Sequence, residues 1–445
     1  MNSETTMKTV QDVQENLQNG QFDLAVNSAQ EVLQDNPDDV FCLSIIAQSE
    51  FNSGQLAEAK STLLKALGIH PKELNLNRNL GLLCNRQGDF KESVSAFLKG
   101  VESNREHPEI LLDLLLLGIS LEKINQDLAT RVLAFVFHQS TQLKDAYLNP
   151  EEIPLIVEAS KIANAIVRDT KYAAQKEAIN ELTLGFEPQE MKRLNDFLDS
   201  FHGIQAPKYA DEMQRPSYHV FPDLEPITFY PKEGLSWTAL LEENFTDIKS
   251  ELLALYDANN QVKPYIDGVV TENQDLSGLV DSLEWSSIHL IQAGKYNNEL
   301  LEKCPKTQEV LKQLPLPVLS GNAPEAFLSV LKPGAEIKPH FGLSNIKLTV
   351  HLGLEIPIDC SIRVGQDVQS WEEGKVLVFD DSFEHEAWNH SDQERKVFIL
   401  EVWHPDLSQL ERQGIQKIME LQDSVTQVSD SDSIDTIIKA IKEEV

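Results

Sequence analysis

The sequence is poor in cysteine and has no paired cysteine motif. Its 445 residues include 4 cysteines, which are Cys42, Cys84, Cys304 and Cys360. Such scattered positions argue against a zinc site built from thiolates and against a framework of disulfides. Hydrophobic residues make up 41% of the chain, an ordinary share that rules out wholesale disorder. The length predicts two or three domains.

Long apolar segments are also missing. The best apolar run, residues 110–117, is short and contains Asp113, whereas a membrane-spanning helix needs about 18 apolar residues. The first twenty residues are polar and acidic, without the apolar core of a signal peptide. We therefore expect a cytoplasmic protein with no membrane role.

Basic residues are scarce in comparison with acidic ones. The chain has 38 Lys and Arg residues against 71 Asp and Glu residues, which gives a net charge of −33. A chain this acidic repels the phosphates of nucleic acids and the surface of anionic lipids. We predict no nucleic-acid partner, and an acidic excess of this kind also serves solubility.

The first third of the chain repeats itself every 34 residues. Glycines recur at Gly20, Gly54 and Gly88, and a small residue follows each glycine by five positions. This period resembles tetratricopeptide repeats over residues 8–105 and predicts a curved solenoid of helix pairs. The concave side of such solenoids commonly binds peptides, so a protein partner is expected there. Alternatively, the repeats only pack against the next domain or mediate self-association.

Residues 206–235 are rich in Pro and aromatics and mark a boundary, and a helical stretch over Trp237–Ala258 follows. After Pro324 the chain turns to short β-type runs. These runs are Phe327–Leu331, Ile346–Leu354, Ser361–Val364, Val376–Phe379 and Val397–Trp403. We predict an α+β multidomain chain in which an all-α tetratricopeptide-type solenoid precedes a double-stranded β-helix, or jelly roll. The expected domains are a repeat domain over 1–165, a helical linker over 166–205, the jelly roll over 206–410 and a helical tail over 411–445.

Two histidines in the β region have the arrangement of a metal site. His340 and His385 each stand beside a predicted strand, as in non-haem Fe(II) oxygenases. Such enzymes normally add a carboxylate two residues after the first histidine, where this chain has Gly342. Arg395 follows His385 by ten residues, where the far carboxylate of a 2-oxoglutarate cosubstrate is usually gripped.

Residues 214–408 are similar to the aspartyl/asparaginyl β-hydroxylase family. The motifs that carry the resemblance are Gln214-Arg215-Pro216-Ser217, Pro305-Lys306-Thr307, Leu331–Gly334, His340–Asn345, His351–Leu354, Trp371–Lys375, Phe379–Trp388 and Val402–Leu407. Members of this family lack the carboxylate ligand, and water takes its place, so the resemblance makes Gly342 an expected residue. The fold it implies is the jelly roll of 2-oxoglutarate dioxygenases.

The resemblance assigns roles to individual residues. It implies that His340 and His385 ligate Fe(II) and that Ser329 and Arg395 hold the far carboxylate of 2-oxoglutarate. His351 would contact the inner carboxylate. The family's arginine two residues before that histidine is Thr349 here.

The missing arginine leaves open how one carboxylate, of the cosubstrate or the substrate, is held. Lys347 and Arg363 are the nearest basic candidates for substrate binding by strand alternation. An acidic residue around His385, among Asp380, Asp381, Glu384 and Glu386, is a candidate for orienting its imidazole.

The implied activity is hydroxylation of an unactivated carbon with Fe(II), 2-oxoglutarate and O2. The implied target is the β-carbon of Asp or Asn in a peptide or protein. Three alternatives remain: a two-histidine halogenase, a hydroxylase of acyl chains, and a repeat scaffold whose jelly roll is catalytically inactive.

Overall fold

The computed structural model describes residues 8–258, 261–266, 279–319, 321–429 and 431–445. The chain forms two compact units, one of Met1–Ala173 with Asp423–Val445 and the other of Ala174–Gln422. We call them the repeat unit and the barrel unit. The four-part division of the sequence remains a prediction, although the structure groups the end of the chain with the repeats.

The repeat unit is built from helices that follow one another with short turns. Its helices are α1 (Val10–Gln18), α2 (Phe22–Asp35), α3 (Val40–Asn52), α4 (Leu56–Ile69), α5 (Leu74–Gln87), α6 (Phe90–Ser103), α7 (Ile110–Leu121), α8 (Gln126–Gln139) and α9 (Thr141–Asp145). Gly20, Gly54 and Gly88 have φ angles of 70°, 78° and 82°, which let the chain reverse between paired helices. The helix α10 (Pro154–Leu182) follows.

The last helix of the chain, α17 (Ile434–Glu444), packs within the repeat unit. Its Ile437, Ile438 and Ile441 side chains are buried in the same apolar core as residues of α7 and α8. Polar contacts flank this core, among them a hydrogen bond of 3.0 Å from Asn125 Nδ2 to Glu444 Oε2. Helix α17 therefore completes the hydrophobic core of the repeats.

Two antiparallel sheets form the barrel unit. The larger sheet contains β1 (Lys263–Pro264), β2 (Trp285–Gln292), β3 (Lys295–Tyr296), β4 (Ala326–Leu331), β6 (Lys347–Glu355), β9 (Val376–Phe379) and β11 (Arg395–Trp403). The smaller sheet has the order β5 (Glu336–His340), β10 (His385–Asn389), β7 (Cys360–Val364), β8 (Asp367–Gln369). Their alternating order along the chain is that of a jelly roll.

The larger sheet is buried on both faces. One face packs against α12 (Trp237–Glu243), α13 (Phe245–Asp257), α14 (Asn298–Lys303) and α15 (Pro305–Leu311). The other face, here called the inner face, meets the smaller sheet through residues such as Phe327, Val397 and Ile362. The remaining α-helices among the described residues are α11 (Lys192–Phe201) and α16 (Gln409–Ser424).

This architecture confirms the predicted fold class, an all-α solenoid followed by a jelly roll. The five predicted β runs correspond to β4, β6, β7, β9 and β11. Within the described ranges, none of the helices combines the length and apolarity needed to span a bilayer.

Candidate active site

Two histidines face each other where strands β5 and β10 pair. His340 is the last residue of β5 and His385 is the first residue of β10. The antiparallel register places them directly opposite one another, with ring centroids 4.0 Å apart. The smaller sheet thus brings together two imidazoles that are distant in sequence.

The backbone decides which nitrogen of each ring carries the proton. His340 Nδ1 lies 2.8 Å from the carbonyl oxygen of Lys338. His385 Nδ1 lies 3.0 Å from the carbonyl oxygen of Phe383. Because a carbonyl only accepts, each Nδ1 donates and each Nε2 keeps a free lone pair. Burial lowers the pKa of both imidazoles, that of His340 to about 3, so both rings are neutral and suited to bind a metal ion.

A carboxylate fills the space beside Gly342. A Cβ atom at this position would lie 2.4, 2.5 and 2.7 Å from Cγ, Oδ1 and Oδ2 of Asp381. Thr349 Oγ1 donates a hydrogen bond of 3.0 Å to Asp381 Oδ2. Asp381 Oδ1 is buried and has no hydrogen-bond partner among the described residues. The loop before β10 therefore places a carboxylate beside Gly342, with one oxygen left to accept a hydrogen bond.

The candidate metal donors are the two histidines alone. Across the described parts of the chain, no three His, Cys, Asp or Glu side chains are grouped as a metal site. The geometry therefore agrees with a centre that has two protein ligands and leaves its other positions to small molecules.

A buried arginine lies on the inner face at the start of β11. Arg395 is 1% exposed, and its Nη2 donates to Ser329 Oγ over 3.0 Å. Its Nε has no hydrogen-bond partner among the described residues, and no described carboxylate pairs with its guanidinium. Burial lowers the pKa of Arg395 to about 10, so the guanidinium is still charged at neutral pH. A buried cation with an unused donor fits an anionic ligand such as a carboxylate.

Ser329 is prepared to donate to the same ligand. Its Oγ accepts hydrogen bonds from Arg395 Nη2 and from Trp285 Nε1, the latter over 3.1 Å. Since both lone pairs of the oxygen are used, the hydroxyl hydrogen is left for a further acceptor. Ser329 and Arg395 therefore present two donors side by side, as the resemblance implies.

His351 lies on the inner face of β6 and contacts Trp371. Trp371 Nε1 donates to His351 Nδ1 over 3.0 Å, and Arg395 Cζ lies 4.8 Å from the centroid of the Trp371 ring. Burial and the charge of Arg395 hold the pKa of His351 well below its usual range. From the sequence, Trp371 is expected only to pack, because nothing local signals these two contacts.

Lys347 lies on the inner face of β6, but its charge is already paired. Its ammonium group binds Glu401 Oε1, and both side chains are buried. Lys347 is therefore near the other inner-face residues, as strand alternation predicts. Its role in substrate binding stays a prediction.

Arg363 points to the opposite side of the smaller sheet from the core. Along β7, Ile362 and Val364 are buried between the sheets, so Arg363 between them faces outward. Its guanidinium pairs with Glu384 and Glu386. The structure thus does not bring Arg363 to the inner face.

Residues 214–217, which form neither helix nor strand, hydrogen-bond to the loops that adjoin the two histidines. Gln214 Nε2 donates to Asp380 Oδ2 over 2.9 Å and to Ser382 Oγ over 3.1 Å. The amide of Ser217 donates to the carbonyl oxygen of Gly342 over 2.9 Å. The Gln214–Ser217 motif was thus a visible signal for a supporting role, which sequence reasoning did not assign.

Comparison with known proteins agrees with this geometry. A model of the aspartyl/asparaginyl beta-hydroxylase family matches residues 242–405. "Aspartate beta-hydroxylase domain-containing protein 2" of Xenopus tropicalis is 35% identical over 210 residues, which cover 46% of this chain and 55% of the relative. Human "Aspartyl/asparaginyl beta-hydroxylase" is 35% identical over 220 residues, which cover 48% of this chain and 28% of the relative.

A bacterial relative is named for a different substrate. "Ornithine lipid ester-linked acyl 2-hydroxylase" of Rhizobium tropici is 29% identical over 179 residues, covering 40% of this chain and 60% of the relative. The chain thus spans between about a quarter and three fifths of the length of these relatives. The predicted resemblance is confirmed: residues 242–405, which include most of the jelly roll, match the model of the aspartyl/asparaginyl β-hydroxylase family.

Proposed function

We propose that the chain is an Fe(II)- and 2-oxoglutarate-dependent dioxygenase that hydroxylates the β-carbon of Asp or Asn in a peptide or protein. The observation that carries the proposal is the pair of neutral imidazoles of His340 and His385 with free Nε2 atoms, in the same barrel as a buried and unpaired arginine. The match of residues 242–405 to the family model supports the hydroxylase class.

The residues of the barrel divide the binding task between them. His340 and His385 would hold Fe(II) through Nε2. Arg395 and Ser329 would bind the far carboxylate of 2-oxoglutarate with the donors left free, and His351 would donate to the inner carboxylate. When bound, Fe(II), 2-oxoglutarate and O2 supply the oxidising power that converts C–H to C–OH, with succinate and CO2 as the coproducts.

Asp381 gives the site a fixed negative charge beside the histidines. Its position next to Gly342 counts against a halogenase, because a chloride ion there would meet a carboxylate instead of an empty space. The same carboxylate has a free oxygen that would accept a hydrogen bond from water in the site. The other oxygen of this carboxylate accepts a hydrogen bond from Thr349 Oγ1.

Two alternatives to peptide hydroxylation have a specific observation in their favour: an acyl-chain hydroxylase and an inactive repeat scaffold. The identity to the ornithine lipid acyl hydroxylase leaves an acyl chain as the second candidate substrate. The replacement of the family's arginine by Thr349 keeps the inactive scaffold open. The repeats favour a peptide or protein substrate or partner, because solenoids of this type present extended concave surfaces.

The decisive test is anaerobic binding of Fe(II) and 2-oxoglutarate, followed by O2-dependent succinate formation with Asp and Asn peptides. We expect binding of both, and a product heavier by one oxygen atom. His340→Ala and His385→Ala should each abolish succinate formation while the melting temperature stays that of a folded barrel. Full turnover by His385→Ala would overturn the proposal, and turnover only with acyl lipids would establish the second candidate.

The repeat unit can be tested separately. A fragment of residues 174–422 should bind Fe(II) and 2-oxoglutarate and turn over the cosubstrate slowly without substrate. It should lose efficiency on the protein substrate if the repeats recruit that substrate. Equal efficiency of fragment and full-length chain would instead assign the repeats to another partner.

A further inference from the structure

Trp371 lies between two groups that the proposed site needs. It stands in the turn region between β8 and β9, and its side chain is 4% exposed within the core that joins the two sheets. One edge of its indole meets His351, and one face meets Arg395. A residue used only for packing would need neither contact.

The hydrogen bond to His351 selects one tautomer of that imidazole. An indole N–H can only donate, so His351 Nδ1 must accept and cannot carry a proton. The ring is neutral, because burial and the neighbouring Arg395 charge hold its pKa well below the usual range. The proton of the neutral ring therefore sits on Nε2, which makes Nε2–H a donor. A donor is what a carboxylate ligand requires.

The face of the Trp371 indole contacts the second group, the guanidinium of Arg395. The guanidinium of Arg395 lies 4.8 Å from the ring centroid, a distance at which an arginine is attracted to an aromatic face. The rings of Trp371 and His351 are nearly parallel, with an interplanar angle of 22°. The only hydrogen bond of this guanidinium to described residues goes to Ser329, so the indole provides its other orienting contact.

We propose that Trp371 is the positioning residue of the 2-oxoglutarate pocket, which fixes His351 as an Nε2–H donor and orients the Arg395 guanidinium. This inference rests on the proposed function, because the two groups bind 2-oxoglutarate in that proposal. It assigns to a tryptophan of the Trp371–Lys375 motif a role that connects both carboxylate-binding groups of the cosubstrate pocket.

The tautomer can be measured without any substitution. In the full-length chain labelled with ¹⁵N-histidine, NMR should find His351 among the buried neutral rings that have an unprotonated Nδ1 and a protonated Nε2. Replacement of His351 by Gln assigns that signal. A protonated Nδ1 on His351 in the wild-type chain would overturn the inference, whatever the variants do.

Two substitutions separate the two contacts. Trp371→Phe removes the N–H and keeps an aromatic face, whereas Trp371→Leu removes both. We expect the affinity for 2-oxoglutarate, titrated into the Fe(II)-loaded full-length chain without O2, to fall about tenfold for Trp371→Phe, equivalent to about 1.4 kcal/mol. Trp371→Leu should lose more. The ¹⁵N signals of His351 should change in Trp371→Phe.

Trp388→Phe is the matched control. Trp388 is half-buried on β10, where it stacks on His390. Its replacement by Phe should leave the affinity for 2-oxoglutarate and the His351 signals unchanged. Wild-type affinity in Trp371→Phe, or an equal loss in Trp388→Phe, would overturn the positioning role. If the wild-type chain did not bind 2-oxoglutarate, the proposed function would be overturned instead. The NMR measurement of the His351 tautomer does not depend on that binding, so the two failures can be distinguished.

Discussion

Asp381 occupies the space that a side chain at Gly342 would need. The carboxylate lies within 2.7 Å of the Cβ position of residue 342, although the two residues belong to different loops. The pair explains why a glycine is found where many iron oxygenases have an acid. A longer residue at 342 and the carboxylate of Asp381 cannot both be accommodated.

Gly342→Asp should therefore destabilise the barrel instead of creating a better metal site. We expect a loss of about 1–3 kcal/mol in the free energy of unfolding, because overpacking forces the neighbouring loop to move. The double variant Gly342→Asp with Asp381→Gly should recover most of that loss in chemical denaturation. Gly68→Ala, where nothing lies within 4 Å, serves as the control. Equal stability of Gly342→Asp and wild type would contradict the relationship.

Arg395→Lys should weaken 2-oxoglutarate binding while the charge is retained. A lysine cannot provide the planar pair of donors, so we expect at least a tenfold loss of affinity, or about 1.4 kcal/mol. Titration of the cosubstrate under anaerobic conditions measures the effect. Lys396→Arg is the control, because Lys396 is bound to Glu355 on the other face of the strand. An unchanged affinity in Arg395→Lys would mean that the cosubstrate is held elsewhere.

His404 should make the barrel less stable in acid. The amide of Asp406 donates to its Nδ1, so its Nε2–H donates to the Tyr230 hydroxyl, 2.6 Å away. Burial lowers the pKa of His404 from 6.5 to about 4. Between these values the unfolded chain binds a proton that the folded chain does not, so the free energy of unfolding falls as the pH drops, by up to about 3 kcal/mol.

The measurement for His404 is the unfolding free energy from denaturant titrations between pH 7 and pH 4. His404→Gln should have a shallower pH dependence than the wild-type chain, whereas exposed His70→Gln should keep the wild-type slope. If His404→Gln retains that slope as well, the acid sensitivity comes from other groups.

Ile441→Ala in helix α17 should destabilise the repeat unit. Its side chain is fully buried, so we expect a cost of about 2–5 kcal/mol. Calorimetry of the full-length chain should find the repeat-unit transition lowered and 2-oxoglutarate binding unchanged. Lys439→Ala, on the exposed side of the same helix, is the control. A loss of cosubstrate affinity in Ile441→Ala would contradict the assignment of α17 to the repeats.

The sequence predicted those strands that carry continuous apolar runs. Strand β6 is buried at eight consecutive positions and was easily found. Strand β5, with the sequence Glu-Ile-Lys-Pro-His, has a single fully buried residue, Ile337, and a proline that suits only an edge strand. It becomes a strand because β10 pairs with it.

The site was predictable to the extent that it depends on motifs. His340 and His385 stand in recognisable motifs, Arg395 follows His385 at a familiar spacing, and Ser329 is carried over by the resemblance. The structure places these four residues around one barrel interior. The contacts of Asp381 and Trp371 were not predictable, because each depends on a partner brought close only by the fold. The outward direction of Arg363 follows from the phase of β7, which the sequence alone left undecided.

The return of α17 to the repeats has a consequence for biosynthesis. A ribosome releases residues 8–173 long before it makes residues 434–444, and the whole barrel is translated between them. The barrel can therefore acquire its fold while the repeats still expose the apolar surface that Ile437, Ile438 and Ile441 later cover. Nascent chains of this protein should thus be most prone to chaperone capture during that interval.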